Sequence, residues 1–312
     1  MRIILARAKK QNPISTIFIP LYLPLVLLLV WYTSETRGEI NGLSAGGRAL
    51  SMGAAYAGVA EGPEAIFFNP AGLSQSTKPG FSFFVSRLYN LEELTYQNVS
   101  AVLPSPYGSL GISLQAFGRT LYRENLLAFG WGNKYGKKIY YGILISRVQI
   151  QIQKYGSASV FLFDGGILLK LANSIRCGIA ITNLNQAEIG RSKEKISQIT
   201  RVGISTIPFT GILFSVEIDK DKRFSAQLKG GCEIRFISGF SLRCGFGRKP
   251  SYFSAGIGMA WKNFSFDYGF TNHPVLGMTH YGSITLNLGH SKKDLKSIQQ
   301  PRKNFSVFKT IL

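Results

Sequence analysis

Phe224-Ser225-Ala226-Gln227-Leu228-Lys229-Gly230-Gly231-Cys232-Glu233-Ile234-Arg235-Phe236 is the stretch that decides the fold of this chain. Even-numbered positions hold apolar or small side chains, and odd-numbered positions hold Ser, Gln, Lys, Gly, Glu and Arg. A period of two belongs to a β-strand whose faces meet different surroundings. Phe240-Ser241-Leu242-Arg243-Cys244-Gly245-Phe246 keeps the same parity. The intervening Ile237-Ser238-Gly239 ends in Gly, as a three-residue hairpin connection wants. Pairing across that turn sets Phe236 opposite Phe240 and Cys232 opposite Cys244. On the other face Glu233 meets Arg243. One register satisfies both faces.

The alternation extends over residues 80–289. Ile212-Leu213-Phe214-Ser215-Val216-Glu217-Ile218 places Glu217 on the polar face; Phe264, Phe266, Tyr268 and Phe270 alternate with Ser265, Asp267 and Gly269. Two architectures fit: a soluble sandwich with apolar residues turned inward, and a membrane barrel with them turned to lipid. Many segments run about ten residues, the length a tilted strand needs to cross a bilayer, whereas soluble strands centre on about five or six. The polar-face charges Glu217, Lys229, Glu233, Arg235, Arg243 and Asp267 then face a wet lumen, where they can pair.

Connection lengths point the same way. Short turns (104–106, 172–174, 208–209, 237–239 and Lys262) alternate with longer links (150–157, 186–198, 247–250 and 271–278), with exceptions at 133–137 and 220–222. Periplasmic turns and external loops of bacterial barrels show this contrast. The expected fold is all-β: a transmembrane antiparallel β-barrel of about 14 strands over residues 80–289.

Composition agrees. Charged residues are 17% of the chain, with 34 Gly and 12% aromatic residues, a mixture suited to hairpins and interfacial aromatic girdles. The net charge of +20 is scattered over the termini and turns and accompanies no nucleic-acid-reading element. It suits solvated turns and contact with anionic lipid head groups, including lipopolysaccharide. Cys177, Cys232 and Cys244 have no metal-ligand spacing and are expected as free thiols; no cofactor or metal is implied.

Residues 1–38 have the order of a secretory signal: Arg2, Arg7, Lys9 and Lys10, then an apolar run from 14 to 32, then the polar stretch 33–38. Cleavage is expected after Gly38; the alternative is an uncleaved anchor, because the apolar run approaches the ~20 residues of a membrane-spanning helix. Residues 290–312 form a basic tail, expected to be disordered. The destination these features imply is the bacterial outer membrane.

Residues 39–79 lack strand alternation. Gly46-Gly47-Arg48-Ala49-Leu50-Ser51-Met52-Gly53 and the following residues are rich in Ala and Gly, thin enough to pack closely on other backbone. Glu61-Gly62-Pro63-Glu64 marks a turn whose Pro can open a helix, and Asn69-Pro70-Ala71-Gly72-Leu73 marks another. A barrel this wide has a lumen to fill, and this segment is expected to be its plug.

The block resembles the N-terminal signature of the PorV/PorQ family, related to the FadL-type long-chain fatty acid transporters. Arg48-Ala49-Leu50, Met52-Gly53 and Asn69 to Leu73 match its pattern. Phe266-Asp267-Tyr268-Gly269-Phe270 followed by His273-Pro274, Leu276-Gly277 and Thr279-His280 resembles the family's last hairpin. Asp164-Gly165-Gly166 and Ile181-Thr182-Asn183-Leu184 echo its middle. The acidic turn, Tyr281 after His280 and the polar tail depart from it.

The resemblance implies a type IX secretion-associated barrel that receives or shuttles exported proteins, with secreted cargo or other secretion components as partners. Its alternative is a FadL-like passive transporter of hydrophobic small molecules, with Phe67 and Phe68 lining the pocket or packing the plug. An enzyme is not expected. The three histidines, His273, His280 and His290, lie with no nucleophile motif, and His273 and His280 in one loop are too few for a metal site.

Overall fold

The computed structural model describes residues 44–289 apart from Ser238 and the Ile237 side chain. The expected signal (1–38), the first residues of the expected plug (39–43) and the tail (290–312) lie outside the described residues. The chain enters through two short helices, α1 (Gly47–Ser51) and α2 (Ala65–Phe68), and a 3-10 turn, Pro70–Gln75. Strands follow: β1 (Gly80–Arg87), β2 (Thr95–Ser105), β3 (Gly108–Gly118), β4 (Tyr122–Tyr135), β5 (Ile139–Ile152), β6 (Gly156–Lys170) and β7 (Ile175–Ile181). A small hairpin, β8 (Glu188–Ile189) and β9 (Glu194–Lys195), interrupts the series. The series resumes with β10 (Ile199–Phe209), β11 (Ile212–Asp221), β12 (Gln227–Ile237), β13 (Phe240–Arg248), β14 (Tyr252–Trp261), β15 (Phe264–His273) and β16 (Gly277–Asn287).

All but β8 and β9 join one sheet that closes when β1 pairs with β16, giving the 14-strand antiparallel barrel that the alternation predicts. Its two faces are those of the sequence. On β11, Phe214, Val216 and Ile218 are 45%, 53% and 50% exposed, while Ser215, Glu217 and Asp219 are 2%, 1% and 3% exposed. Apolar side chains turned outward from a closed wall form a surface for hydrocarbon, and closure leaves no unpaired edge inside it.

The decisive hairpin pairs Cys232 with Cys244 and Glu233 with Arg243, as expected. Its tip differs. The register shifts after Arg235 so that Ile237, not Phe236, faces Phe240, and the connection shortens to 238–239, with Gly239 at φ +106°. Phe224 also precedes the strand, which begins at Gln227. Both thiols lie on the outer face, free and partly exposed.

The contrast of connection lengths is weaker than the sequence implies. The links expected over 150–157 and 271–278 shrink to 153–155 and 274–276, because the flanking strands continue their hydrogen bonding past the polar residues. Residues 182–198 remain a long link and carry β8 and β9. We call the end holding 88–94, 182–198 and 222–226 the loop end, and the other the turn end.

The segment from residue 44 to β1 lies within the wall. Gly53 N donates to Ser254 Oγ on β14 (3.0 Å), Ala57 N to Glu217 Oε2 on β11 (2.6 Å), and Asn69 Nδ2 to Ile167 O on β6 (3.1 Å). Close approach needs bare backbone. A Cβ at Gly166 would sit 2.1 Å from Asn69 Oδ1, and one at Gly245 would sit 2.1 Å from Gly53 N. Met52, Ile66, Phe68 and Leu73 are buried almost completely in clusters between segment and wall. Each contributes roughly 1.5–3 kcal/mol to holding the segment there.

Candidate functional site

The inner segment divides the interior into a cavity at each end. At the loop end, a space of ≈ 280 Å³ has Leu50 and Ala54 of the inner segment on one side and Phe84, Tyr96 and Tyr281 of the wall on another. The Phe84 ring stands edge-on to Tyr96 at 5.5 Å and stacks with Tyr281 at 6.4 Å. Arg201, Asp219 and Lys229 form its polar wall, and Tyr89, Phe224 and His273 stand nearer the rim. The arrangement can hold an apolar body against rings and leave a polar end among charges.

That polar wall is already neutralised. Lys229 Nζ lies 2.5 Å from Asp219 Oδ2 and 3.8 Å from Glu217 Oε1, and Arg201 Nε lies 3.6 Å from Asp219 Oδ2. Arg201 and Asp219 were missed by sequence reading. The signal was present in the continued parity: Asp219 follows Glu217 by two residues, and Arg201 alternates with Val202 and Ile204.

A second network occupies the turn end. Glu233 accepts from Arg48 Nε (2.7 Å), Arg243 Nε (2.7 Å) and Arg235 Nη2 (2.7 Å). Arg243 Nη1 reaches Asp267 Oδ1 at 2.6 Å. Arg48 Nη1 also donates to Tyr56 Oη (3.0 Å) and Glu61 Oε1 (2.5 Å). Beside it is a cavity of ≈ 170 Å³ bounded by Arg48, Val59, Glu61, Arg176, Leu213 and Arg235. Between the cavities stands the apolar cluster of Met52, Tyr56 and Phe68, with the Tyr56 and Phe68 rings 5.1 Å apart.

The six charges expected to face the lumen all stand on inward positions, but around them is packed protein, not open water. Glu217, Lys229, Glu233, Arg243 and Asp267 are buried; Arg235 alone of the six reaches solvent. Glu64, in the inner segment, is buried as well, against the backbone of Gly46. Burial, and after it the nearby Asp267 carboxylate, push its carboxyl from 4.5 up to about 8, against the pull of Arg48 and Arg243.

The N-terminal motif acts by packing. Asn69 Oδ1 accepts from Ala71 N (3.1 Å), while its amide ties Ala57 O to Ile167 O. Pro70, Ala71, Gly72 and Leu73 are buried beside it. Phe67 and Phe68 lie outside the linings of both cavities: Phe68 packs on Tyr56, and Phe67 packs against three separate clusters. The rings at the loop-end cavity come from Phe84, Tyr96 and Tyr281 instead.

The last-hairpin motif splits between the two faces of the wall. His273 points inward, and its Nδ1 accepts from Val275 N and Leu276 N (3.2 Å each), shaping the tight link that contains Pro274 and ends at Gly277. His280 is on strand β16, not in a loop, and points outward, with Nδ1 2.9 Å from Tyr268 Oη. The two imidazoles cannot share a metal.

Comparison with known proteins places this geometry. No family model matches the chain, and no curated protein sequence does. Solved structures match its fold: the Pseudomonas putida toluene transporter TodX (TM-score 0.58, 10% identity, 81% of this chain and 100% of that one); the Ralstonia pickettii toluene transporter TbuX (0.57, 12%, 78% and 97%); and a Pseudomonas aeruginosa FadL homologue (0.54, 10%, 78% and 96%). A closed barrel of this kind, belted with outward apolar side chains, is an integral protein of the bacterial outer membrane. Its fold is that of the FadL-type channels. At such identities the likeness concerns the fold, and it lends no support to the secretion-linked expectation.

Proposed function

We propose that this barrel is a passive channel for hydrophobic small molecules, the second of the two functions expected from sequence. The observation that carries the proposal is the loop-end cavity: rings of Phe84, Tyr96 and Tyr281 inside the barrel, closed off by the inner segment. A hydrophobic solute gains by leaving water for such a surface. Passage to the turn-end cavity then requires the Met52, Tyr56 and Phe68 cluster to move aside, so the inner segment is the gate. That toluene transporters share the fold favours this class of solute.

The secretion-linked role rests on the terminal motifs. In this chain the N-terminal motif packs the segment on the wall and His273 of the last-hairpin motif shapes a tight link between strands, and a channel needs both equally. Cells whose intact lipopolysaccharide leaflet bars apolar solutes should take up toluene faster with the barrel than without it, and Leu50→Trp, which fills the cavity, should slow uptake several-fold. Equal rates with and without the protein overturn the channel. Co-purification of secreted proteins sharing a C-terminal sorting domain would favour the shuttle in its place.

A further inference from the structure

A depression of ≈ 390 Å³ lies on the outside of the wall across β1–β5, away from the lumen. Its apolar side is a continuous row, Val99, Leu114 and Leu127, each opposite the next in register, with Phe83 beside them. The row meets Arg147, opposite Leu127, and continues beyond it to the exposed Phe161 on β6. Two residues along each strand towards the loop end, roughly 7 Å away, the outward row becomes Gln97, Ala116, Asn125 and Gln149. The small Ala116, between Gln97 and Asn125, leaves the surface sunken there.

Hydrocarbon-facing positions therefore give way to hydrogen-bonding ones within a single pleat, at a dent. Arg147 stands at that border, exposed, with one long hydrogen bond from Nη2 to Ser159 Oγ (3.5 Å) and, among the described residues, no ion pair. Arg123, two residues from Asn125 on β4, is exposed above it. A guanidinium with free donors beside an apolar trough fits an acyl chain that ends in a phosphate. The dent opens towards the loop end, and since the longer links of bacterial barrels are the external ones, the leaflet it meets is the external one.

We propose that this trough is a binding site for the lipid A portion of lipopolysaccharide, with an acyl chain along Val99, Leu114 and Leu127 and a phosphate on Arg147. The site stands on the membrane placement of the barrel and is independent of what passes through the lumen.

The test titrates the purified full-length barrel in detergent with diphosphoryl lipid A, dephosphorylated lipid A and phosphatidylglycerol. Arg147→Gln removes the charge at an exposed position that the fold does not need. Ala116→Trp fills the dent without touching charge. R147Q should weaken diphosphoryl lipid A about tenfold, the loss of one charge-assisted contact. A116W should weaken it by displacing the acyl chain from the dent, and dephosphorylated lipid A should bind weakly to wild type. Toluene uptake by cells with an intact lipopolysaccharide leaflet should stay at the wild-type rate in both variants. Unchanged affinity in R147Q overturns the site even if A116W fails to fold. Equal binding of dephosphorylated lipid A, or of phosphatidylglycerol, overturns the assignment to lipid A.

Discussion

Arg48 of the inner segment grips Glu233 of β12 with two hydrogen bonds, 2.7 and 3.0 Å long, between residues 185 apart in sequence. The same carboxylate holds Arg243 and Arg235 on its own wall. The segment is thus pinned by a charge shared three ways, and the two partners are not equivalent.

Removing Glu233 should do more harm than removing Arg48. Glu233→Gln removes the carboxylate that Arg48, Arg243 and Arg235 share. Arg48 keeps Glu61 and Arg243 keeps Asp267, but the network is left with an excess positive charge and little solvent, and breaking a buried pair in this way costs about 3–5 kcal/mol. Arg48→Gln leaves Glu233 with two arginines and should cost less. Limited proteolysis of the inner segment and ion conductance in planar bilayers measure both: cleavage and leak should rise most in E233Q. An equal response in the two variants would show that the pin is Arg48 alone.

Gly166→Ala probes the packing of the second motif. The added Cβ would fall 2.1 Å from Asn69 Oδ1, and the tie from Asn69 to Ile167 O crosses the same place. Overpacking of this kind costs about 1–3 kcal/mol. G166A should lower the thermal midpoint and loosen the segment to protease while leaving the barrel's strand content intact by circular dichroism.

How far these contacts could be foreseen depends on their kind. The barrel was legible because parity is local: Leu228 and Lys229 announce opposite surroundings by adjacency alone. Cross-strand partners such as Glu233 and Arg243 followed from one turn. The tip did not, since whether Phe236 or Ile237 meets Phe240 depends on backbone geometry at Gly239. The link from Arg48 to Glu233 and the cavity rings Phe84, Tyr96 and Tyr281 were illegible, because only barrel closure brings strands at opposite ends of the sequence together. His280 was misplaced for a different, local reason: the last hairpin pairs as far as Gly277, past polar residues that read as a loop.

Glu64 gives the inner segment a pH dependence. Its folded pKa, about 8, lies above the ordinary 4.5, so it is the protonated form that the fold favours. The stability it contributes is complete below about pH 4.5 and is lost as pH rises through about 8. Protease resistance of the segment should therefore fall between pH 5 and pH 9 (a range set by those two values), and Glu64→Gln should flatten that fall. A slope of the same size in E64Q would assign the dependence to another group.

The lipid face should reject charge at mid-strand. Val216, half exposed near the centre of β11, points away from Glu217 and Ser215. Val216→Arg should destabilise the folded barrel in bilayers by about 2–4 kcal/mol, the cost of an arginine near the midplane. Urea titration after reconstitution reads it. In short-chain detergent, where the charge can reach water, the penalty should shrink.

The most direct measurement places spin labels at single cysteines along β11 in a cysteine-free background reconstituted in lipid. Access to oxygen, which concentrates in hydrocarbon, should peak at Phe214, Val216 and Ile218 and dip at Ser215, Glu217 and Asp219. An inverted pattern, with oxygen access highest at 215, 217 and 219, would mean that the apolar faces enclose a dry core, and the membrane barrel would be wrong.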